Sequence, residues 1–240
     1  MKRLKNLFIL LLTVPTLSLA AGGPAVPLDK APVNLSNQAS LQRGARMFVN
    51  YCLNCHSASA VRYSRLGDLG LNEDQIKDNL LFTTEKVGDL MKVGMTKADG
   101  KAWFGATPPD LSVIARSRGA DWLYTYLRGF YKDDSRPFGW NNTVFDKVGM
   151  PHVMWNLQGE MVPVYKDDGH AIERLELAKP GEVTLVEYDA MVGDLVNYLV
   201  WMGEPAQMQR KQLGLIVLGF LAIFFVIAYY LKKEFWKDVH

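Results

Sequence analysis

The sequence predicts a mainly α-helical protein with long loop insertions, followed by a single C-terminal transmembrane helix. Two segments, near residues 41–52 and 184–203, place apolar residues at helical spacing, and the region between them is broken by many Gly and Pro residues. A run of 19 residues without charge, 213–231, comes near the end of the 240-residue chain. Hydrophobic residues make up 49% of the chain and charged residues 22%, which excludes an intrinsically disordered protein.

The N-terminus has the pattern of a secretory signal peptide. Lys2, Arg3 and Lys5 precede a short apolar stretch, 7–14, and residues 18–20 form an Ala-x-Ala-like cleavage site. An N-terminal membrane anchor is the alternative, and the short apolar stretch disfavours it. We therefore expect residues 1–20 to be cleaved and residues 21–209 to form an exported, periplasmic domain.

The uncharged run predicts the membrane anchor. As a helix with about 1.5 Å rise per residue, residues 213–231 span roughly 28 Å, close to the hydrocarbon thickness of a bilayer. A buried core helix is disfavoured because every face would be apolar. We predict an anchor helix at 210–231 and a cytoplasmic tail at 232–240, which makes the chain a single-pass protein of the bacterial inner membrane.

The charge distribution limits the class of partner. The whole chain has a net charge of +2, but residues 21–209 hold 19 basic and 23 acidic side chains, a net charge of −4. Nucleic acid is therefore not an expected partner. An acidic exported face could attract a basic protein at long range, although the same charge also suits an ordinary soluble surface.

The first amphipathic segment is expected to be a helix with Ser40 as a possible N-cap and with one buried face, formed by Leu41, Ala45, Phe48 and Cys52. Gly44 lies within this segment, where glycine lowers helix stability unless another backbone approaches closely.

The last helix before the anchor has clear boundaries. Thr184 and Glu187 form a capping box, and Gly203 with Pro205 ends the helix. Its residue Gly193, together with Gly44, suggests that the two helices cross closely. The alternation within 161–186 allows a β-hairpin.

The motif that carries chemistry is Cys52-Leu53-Asn54-Cys55-His56, a C-x-x-C-H sequence typical of c-type haem attachment. Cysteines three residues apart on a helical turn share one face, so each can add to one vinyl group of the porphyrin. The following histidine is then placed to bind the iron as proximal ligand. The predicted cofactor is therefore one covalently attached haem c.

Other uses of the two cysteines fit less well. A thioredoxin-like motif would need a βαβ pattern, which is missing. A zinc site would need further ligands, and Cys52 and Cys55 are the only cysteines. A disulfide would leave the adjacent His56 without a role.

The chemistry of a bound iron depends on its sixth ligand, which methionine or a second histidine can supply. Most of the ten methionines are expected to be core residues. Met150 lies between Gly149 and Pro151, which favour a non-helical loop able to present a side chain rigidly. Met150 is therefore the first candidate, with Met154 and His152 as alternatives.

With these features the chain resembles the cytochrome c1 family over nearly the whole length that follows the signal peptide. The resemblance rests on the haem motif and on four further stretches: Tyr63-Ser64-Arg65-Leu66, Pro108-Pro109-Asp110-Leu111-Ser112, Gly149-Met150-Pro151, and Glu204-Pro205 with Arg210 before the anchor. It implies a c-type cytochrome fold in the exported domain.

The resemblance also implies roles for individual residues. It assigns Met150 as the axial methionine and places Pro109 against the haem edge, where proline excludes water. It implies that Arg118 pairs with a haem propionate, although a surface salt bridge is the simpler alternative. Trp122 matches an aromatic residue that lines the haem pocket, or it is plain core. Many family members have further prolines after the methionine, whereas this chain has His152, which we expect to face solvent.

The function implied by the resemblance is electron transfer without bond chemistry. A Rieske iron–sulfur protein would supply the electron and a c-type cytochrome would accept it, within a dimeric complex that contains a cytochrome b subunit. Two alternatives remain: a free-standing membrane-tethered electron shuttle, and a haem enzyme or sensor with an open iron site.

Overall fold

The computed structural model describes residues 26–166 and 171–238. The expected signal peptide, residues 1–20, lies outside the described residues, as do the last two residues of the expected tail. The described chain is mainly helical and ends in one long apolar helix, as the sequence predicted.

The first helix, α1 (Gln38–Met47), continues into a π-helical turn (Phe48–Cys52). The predicted apolar face is buried throughout, from Leu41 to Cys52. The expected N-cap is wrong, because Asn37 caps the helix and its side chain accepts a hydrogen bond of 3.1 Å from the Ser40 backbone N–H. Ser40 lies in the first turn instead, where its hydroxyl accepts a hydrogen bond from Asn197 at 3.0 Å.

Several short helices and strands follow α1. The helices are a 3₁₀ helix (Tyr63–Leu69), α2 (Glu73–Asn79), α3 (Lys97–Phe104), α4 (Ile114–Arg118), α5 (Ala120–Arg128) and α6 (Trp155–Gln158). The strands form three antiparallel pairs: β1 (Ala58–Arg62) with β2 (Leu90–Met91), β3 (Phe130–Lys132) with β4 (Trp140–Asn142), and β5 (Gly159–Tyr165) with β6 (Ile172–Pro180). The last pair is the hairpin that the alternation in 161–186 allowed.

Helix α7 (Leu185–Gly203) is the centre of the core. Its capping box is present, since the Glu187 backbone N–H donates to the Thr184 hydroxyl and the Thr184 N–H donates to the Glu187 carboxylate. One side of α7 packs on α1 and another on α5. Ten of its residues are buried, so this one helix provides packing surface for several of the shorter helices.

The close crossing of α1 and α7 depends on Gly44. A Cβ atom at Gly44 would lie 2.1 Å from the Asp194 carbonyl oxygen, so only glycine allows this approach. Arg43 closes the crossing with a bidentate ion pair to Asp194, at 2.6 and 3.1 Å. Gly193, which the sequence suggested for the same contact, instead faces Pro32 and Tyr124.

The C-terminal helix, α8 (Gln207–Phe235), buries none of its residues. Among the described residues it is the one helix long and apolar enough to cross a membrane, with a mean hydropathy of 2.5 over an 18-residue window. It extends beyond the expected 210–231 at both ends, because the flanking residues are good helix formers. Glu204, just before α8, forms ion pairs with Arg210 of α8 at 2.5 Å and with Arg116 of α4 at 3.4 Å.

Candidate haem site

A cavity of about 540 Å³ lies between the π-helical turn, the loop after α3, helix α5 and the loop before α6. This volume is typical of a cofactor site. The residues that the sequence predicted for the site all lie in its wall: Cys52, Cys55, His56, Pro109, Arg118, Trp122 and Met150.

The cysteines and the histidine are brought together by the end of the π-helical turn. The Cys52 carbonyl accepts hydrogen bonds from the backbone N–H groups of Cys55 and His56, at 3.1 and 2.9 Å, so the chain curls around the cavity. Both cysteines are free thiols. Burial, and to a lesser degree the neighbouring Cys55, raises the pKa of Cys52 to about 12, and burial also raises the pKa of Cys55.

The His56 ring is oriented by a backbone carbonyl. Its Nδ1 lies 2.7 Å from the Pro109 oxygen, and since a carbonyl can only accept, Nδ1 carries the proton. Burial lowers the pKa of His56, although the Pro109 hydrogen bond and the charge of Asp110 oppose this shift. The ring is therefore neutral, with the Nε2 lone pair available to a metal.

The Pro109 carbonyl is held in place by Asp110, a residue whose role was not expected from the sequence. The Asp110 carboxylate accepts hydrogen bonds from the backbone N–H and hydroxyl of Ser59 and from the backbone N–H of Ser112, the two N–H bonds measuring 2.8 and 2.9 Å. Burial opposes ionisation of Asp110, but these hydrogen bonds outweigh it and lower its pKa. The loop is thereby tied to the strand that follows His56.

Met150 is presented by a loop that two buried asparagines organise. Asn141 accepts a hydrogen bond from the Lys147 backbone N–H and donates to Asp133 and Asp146, each at 2.9 Å. Lys147 takes a left-handed conformation (φ 58°), which is unusual for a residue other than glycine and fixes the turn.

The second asparagine, Asn142, ties the start of this loop to α5. Its side chain accepts hydrogen bonds from the backbone N–H groups of Val144 and Phe145 and donates to the Tyr126 carbonyl at 2.7 Å. Neither asparagine was expected from the sequence. The one available signal was the pair of adjacent asparagines shortly before Met150.

The other two candidates for the sixth ligand lie outside this cavity. Met154 is 1% exposed and belongs to the core. His152 does not face solvent as expected, since it is 2% exposed, its ring stacks on Phe130 at 4.8 Å and the edge of Trp140 covers it at 5.0 Å. The expectation failed because Phe130 of β3 and Trp140 of β4 pack on the ring through tertiary contacts, which a local sequence pattern does not report.

His152 lines a second, more open cavity of about 420 Å³ and does not line the one shared by His56 and Met150. Neither of its ring nitrogens has a hydrogen-bond partner among the described residues. Burial lowers the pKa of His152 to about 4, against the opposing effect of the neighbouring Gln158 amide.

Arg118 and Trp122 form one edge of the cavity. The Arg118 guanidinium lies 5.0 Å from the centre of the Trp122 ring, and Trp122 stacks on Tyr126 at 4.7 Å. Arg118 is exposed and forms no ion pair within residues 26–166 and 171–238, so the salt bridge offered as an alternative is not seen there. A cation stacked on an aromatic ring at the cavity edge suits a carboxylate of a bound group.

Taken together, the wall fits a c-type haem. It combines two free thiols, an imidazole with its Nε2 unprotonated, a thioether and an arginine that has no acidic partner in the described part of the chain, within a lining that is otherwise largely apolar. These are the groups that attach a porphyrin, ligate its iron and pair with a propionate.

Comparison with known proteins gives the same indication. The model of the cytochrome c1 family matches residues 29–239. Cytochrome c1 of Allochromatium vinosum is 49% identical over 236 residues, which is 96% of each chain. A protein of Nitrosomonas europaea named ammonia monooxygenase gamma subunit is also 49% identical, over the full length of both chains. Cytochrome c1 of Rhodospirillum rubrum is 32% identical over 85% of this chain and 83% of its own.

Among solved structures, a chain of a hyperthermophilic respiratory complex III aligns over 100% of this chain and 96% of its own. The identity is 15% and the TM-score 0.43.

Proposed function

The chain belongs to the cytochrome c1 family, and from this premise we propose that it is the electron-transfer haem subunit of a bacterial ubiquinol–cytochrome c reductase. The observation that carries the proposal is that Met150 lines the same cavity as the two cysteines and the histidine of the C-x-x-C-H motif.

Each residue has a distinct task in this proposal. Cys52 and Cys55 attach the porphyrin covalently, which makes the cofactor haem c. His56 and Met150 would both ligate the haem iron, which would close it to added ligands. The bound haem supplies one-electron chemistry through its iron, and the protein makes or breaks no bonds of a substrate.

The pocket also favours the reduced state. A neutral thioether is a soft ligand that suits Fe(II). The lining is largely apolar, with Leu123, Leu127 and Leu199 among its buried members, so the extra positive charge of the oxidised state is poorly solvated. Both effects raise the reduction potential, as an acceptor downstream of an iron–sulfur centre requires.

Position within the complex follows from α8 and the charge of the haem domain. We propose that α8 anchors the chain beside a cytochrome b subunit, with the haem domain on the periplasmic side of the inner membrane. The electron then comes from the Rieske iron–sulfur protein and leaves to a c-type cytochrome, in a complex that is dimeric. The net charge of −4 over residues 21–209 would favour a basic acceptor.

Two alternatives make different predictions about partners. A free-standing tethered shuttle would purify alone, whereas a subunit should co-purify with a multi-span b-type cytochrome. The name of the Nitrosomonas relative points to a third possibility, co-purification with subunits of an ammonia-oxidising enzyme.

The test is purification of the full chain in mild detergent from its native membrane. We expect a haem-staining band of this chain after denaturing electrophoresis, thiols that resist alkylation, and co-purifying cytochrome b and Rieske subunits. A colourless band with both thiols alkylated would overturn haem attachment. A stained band without those partners would overturn the assignment to the complex and leave the shuttle.

A further inference from the structure

The Tyr126 side chain contacts Met150, a relationship that no sequence pattern indicated. Its hydroxyl lies 3.4 Å from the Met150 sulfur, within range of a hydrogen bond to a thioether. Among the described residues, the Met150 sulfur is the only hydrogen-bond partner of this hydroxyl. Tyr126 is 8% exposed, so water cannot readily replace the contact.

The ring that carries the hydroxyl is fixed on both sides. Trp122 stacks on one face at 4.7 Å, and Phe130 meets the ring at 5.2 Å in an edge-on arrangement. Trp122 and Tyr126 are four residues apart on α5, so helix geometry aligns them, and Phe130 reaches the ring from the start of β3. The hydroxyl is thus held in one direction, toward the methionine.

The backbone of Tyr126 also contacts the loop that carries Met150, at the beginning of that loop. Its carbonyl accepts the hydrogen bond from Asn142 at 2.7 Å, and the Asn142 side chain in turn receives the Val144 and Phe145 N–H groups. One residue therefore contacts the methionine loop near its beginning and at Met150.

We propose that Tyr126 is a positioning residue that acts through Met150, donating a hydrogen bond to the sulfur and so fixing its direction and lowering its electron donation. A thioether sulfur has two lone pairs, so one can bind iron while the other accepts the hydrogen bond. A tyrosine hydroxyl carries its proton at neutral pH and can therefore donate to the sulfur. This role rests on the proposed function, because it presumes that Met150 is an axial ligand.

The direction of the effect follows from electron density. A hydrogen bond to the sulfur draws density away from it, and this weakens its bond to Fe(III) more than its bond to Fe(II). Removing the hydroxyl should therefore lower the reduction potential. A hydrogen bond contributes only modestly to stability and a sulfur acceptor is weak, so we expect a change of about threefold in the relative affinity of the sulfur for the two oxidation states. For one electron this corresponds to roughly 30 mV.

The test uses the full-length haem protein with Tyr126→Phe, which keeps the ring and removes only the hydroxyl. The control is Tyr124→Phe, two residues away on the same helix, where the ring packs against Arg128 and does not line the cavity. The readouts are the reduction potential, the visible charge-transfer band of a methionine–iron bond, and carbon monoxide binding by the reduced protein. We expect a lower potential and about threefold faster carbon monoxide binding in Tyr126→Phe, and neither change in Tyr124→Phe.

A second variant, Asn142→Ser, tests the other contact. It should increase carbon monoxide binding, because the loop is released from the Tyr126 carbonyl. An unchanged potential and unchanged carbon monoxide binding in Tyr126→Phe would overturn the role of Tyr126, while the wild-type methionine–iron band would still support the proposed function. Absence of that band from the wild-type protein would instead refute methionine ligation itself.

Discussion

The Nδ1 nitrogen of His56 donates a hydrogen bond of 2.7 Å to the carbonyl oxygen of Pro109, 53 residues further along the chain. This contact decides which ring nitrogen can bind a metal, because only Nε2 is left unprotonated. The sequence had suggested only that the proline ring excludes water. The carbonyl gives the same residue a second role, which any change to its loop would disturb.

Asp110→Asn should destabilise the protein in a pH-dependent way. Its carboxylate holds Ser59 and Ser112, and these bonds lower its pKa in the folded state. A lowered folded-state pKa stabilises the protein above the pKa of the unfolded chain, and this contribution disappears as the pH falls through the folded-state value. Because the group is partly exposed, we expect a loss of only about 1 kcal/mol at pH 7.

The measurement for Asp110 is denaturant unfolding of the full-length haem protein between pH 7 and pH 3. The difference between wild type and Asp110→Asn should shrink toward the acid end of this range. Asp68→Asn is the matched control, since Asp68 forms only an exposed ion pair with Arg65. A difference for Asp110→Asn that is the same at every pH would contradict a role for the charge.

Met150→Leu should lower the reduction potential while the haem stays attached. Leucine has a similar size but cannot ligate iron, so the ferrous state loses its preferred soft ligand. We expect a shift well beyond the roughly 59 mV that a tenfold change in relative affinity represents, together with rapid carbon monoxide binding.

Met154→Leu provides the control for Met150, because Met154 is 1% exposed and lies in the core outside the cavity. It should leave the potential and the methionine–iron band unchanged. If Met150→Leu behaved like Met154→Leu, another residue would have to be the sixth ligand.

His152→Phe should leave the iron site intact and should not destabilise the protein. The ring stacks on Phe130, and both of its buried nitrogens lack a partner among the described residues, so phenylalanine keeps the packing and removes unsatisfied polar atoms. His152→Ala should cost about 2–4 kcal/mol, because it leaves a cavity between Phe130 and Trp140. Thermal unfolding and the visible spectrum would check both variants, and a changed axial-ligand spectrum in His152→Phe would count against the assignment of Met150.

The extent to which the site could be predicted from sequence depends on whether its residues are close along the chain. The C-x-x-C-H motif and the Gly149-Met150-Pro151 stretch are local, and the structure places them around one cavity, although their roles in binding haem remain predictions. Tyr126 acts on Met150 from 24 residues away and Asp110 on Ser59 from 51 residues away. Such contacts arise from the packing of α5 and of the loop after α3, which no local pattern reports.

In the fold, too, features set by neighbouring residues were predictable and features set by tertiary packing were not. The boundaries of α7 were predictable because the capping box and the terminal glycine act within a few residues. The burial of His152 was not, because it depends on rings contributed by β3 and β4. The N-cap of α1 was misplaced by three residues, since Asn37 and Ser40 are both good caps. In the structure Asn37 accepts the capping bond from the Ser40 N–H, while the Ser40 hydroxyl accepts from Asn197.

Gly44→Ala should separate α1 from α7. The added methyl group would overlap the Asp194 carbonyl, which is backbone and cannot move without moving α7. We expect a loss of about 3 kcal/mol, equivalent to roughly 6–12 °C in the unfolding temperature. Gly67→Ala is the control, because a Cβ atom there would meet nothing within 4 Å, and its unfolding temperature should stay close to that of wild type. Equal effects of the two substitutions would show that the crossing is looser than 2.1 Å implies.

Removing α8 should give a soluble haem domain. A chain that ends at Gln209 keeps every buried residue of the core, since α8 buries none, and it keeps the ion pair between Glu204 and Arg116. Of the described ion pairs that join the haem domain to α8, it loses the one between Glu204 and the exposed Arg210, and such a pair contributes at most about 1 kcal/mol. The expected product, made with its export signal, is monodisperse without detergent, carries covalent haem and unfolds within about 4 °C of the full-length protein. Aggregation into a colourless form would mean that the haem domain depends on the membrane helix for folding.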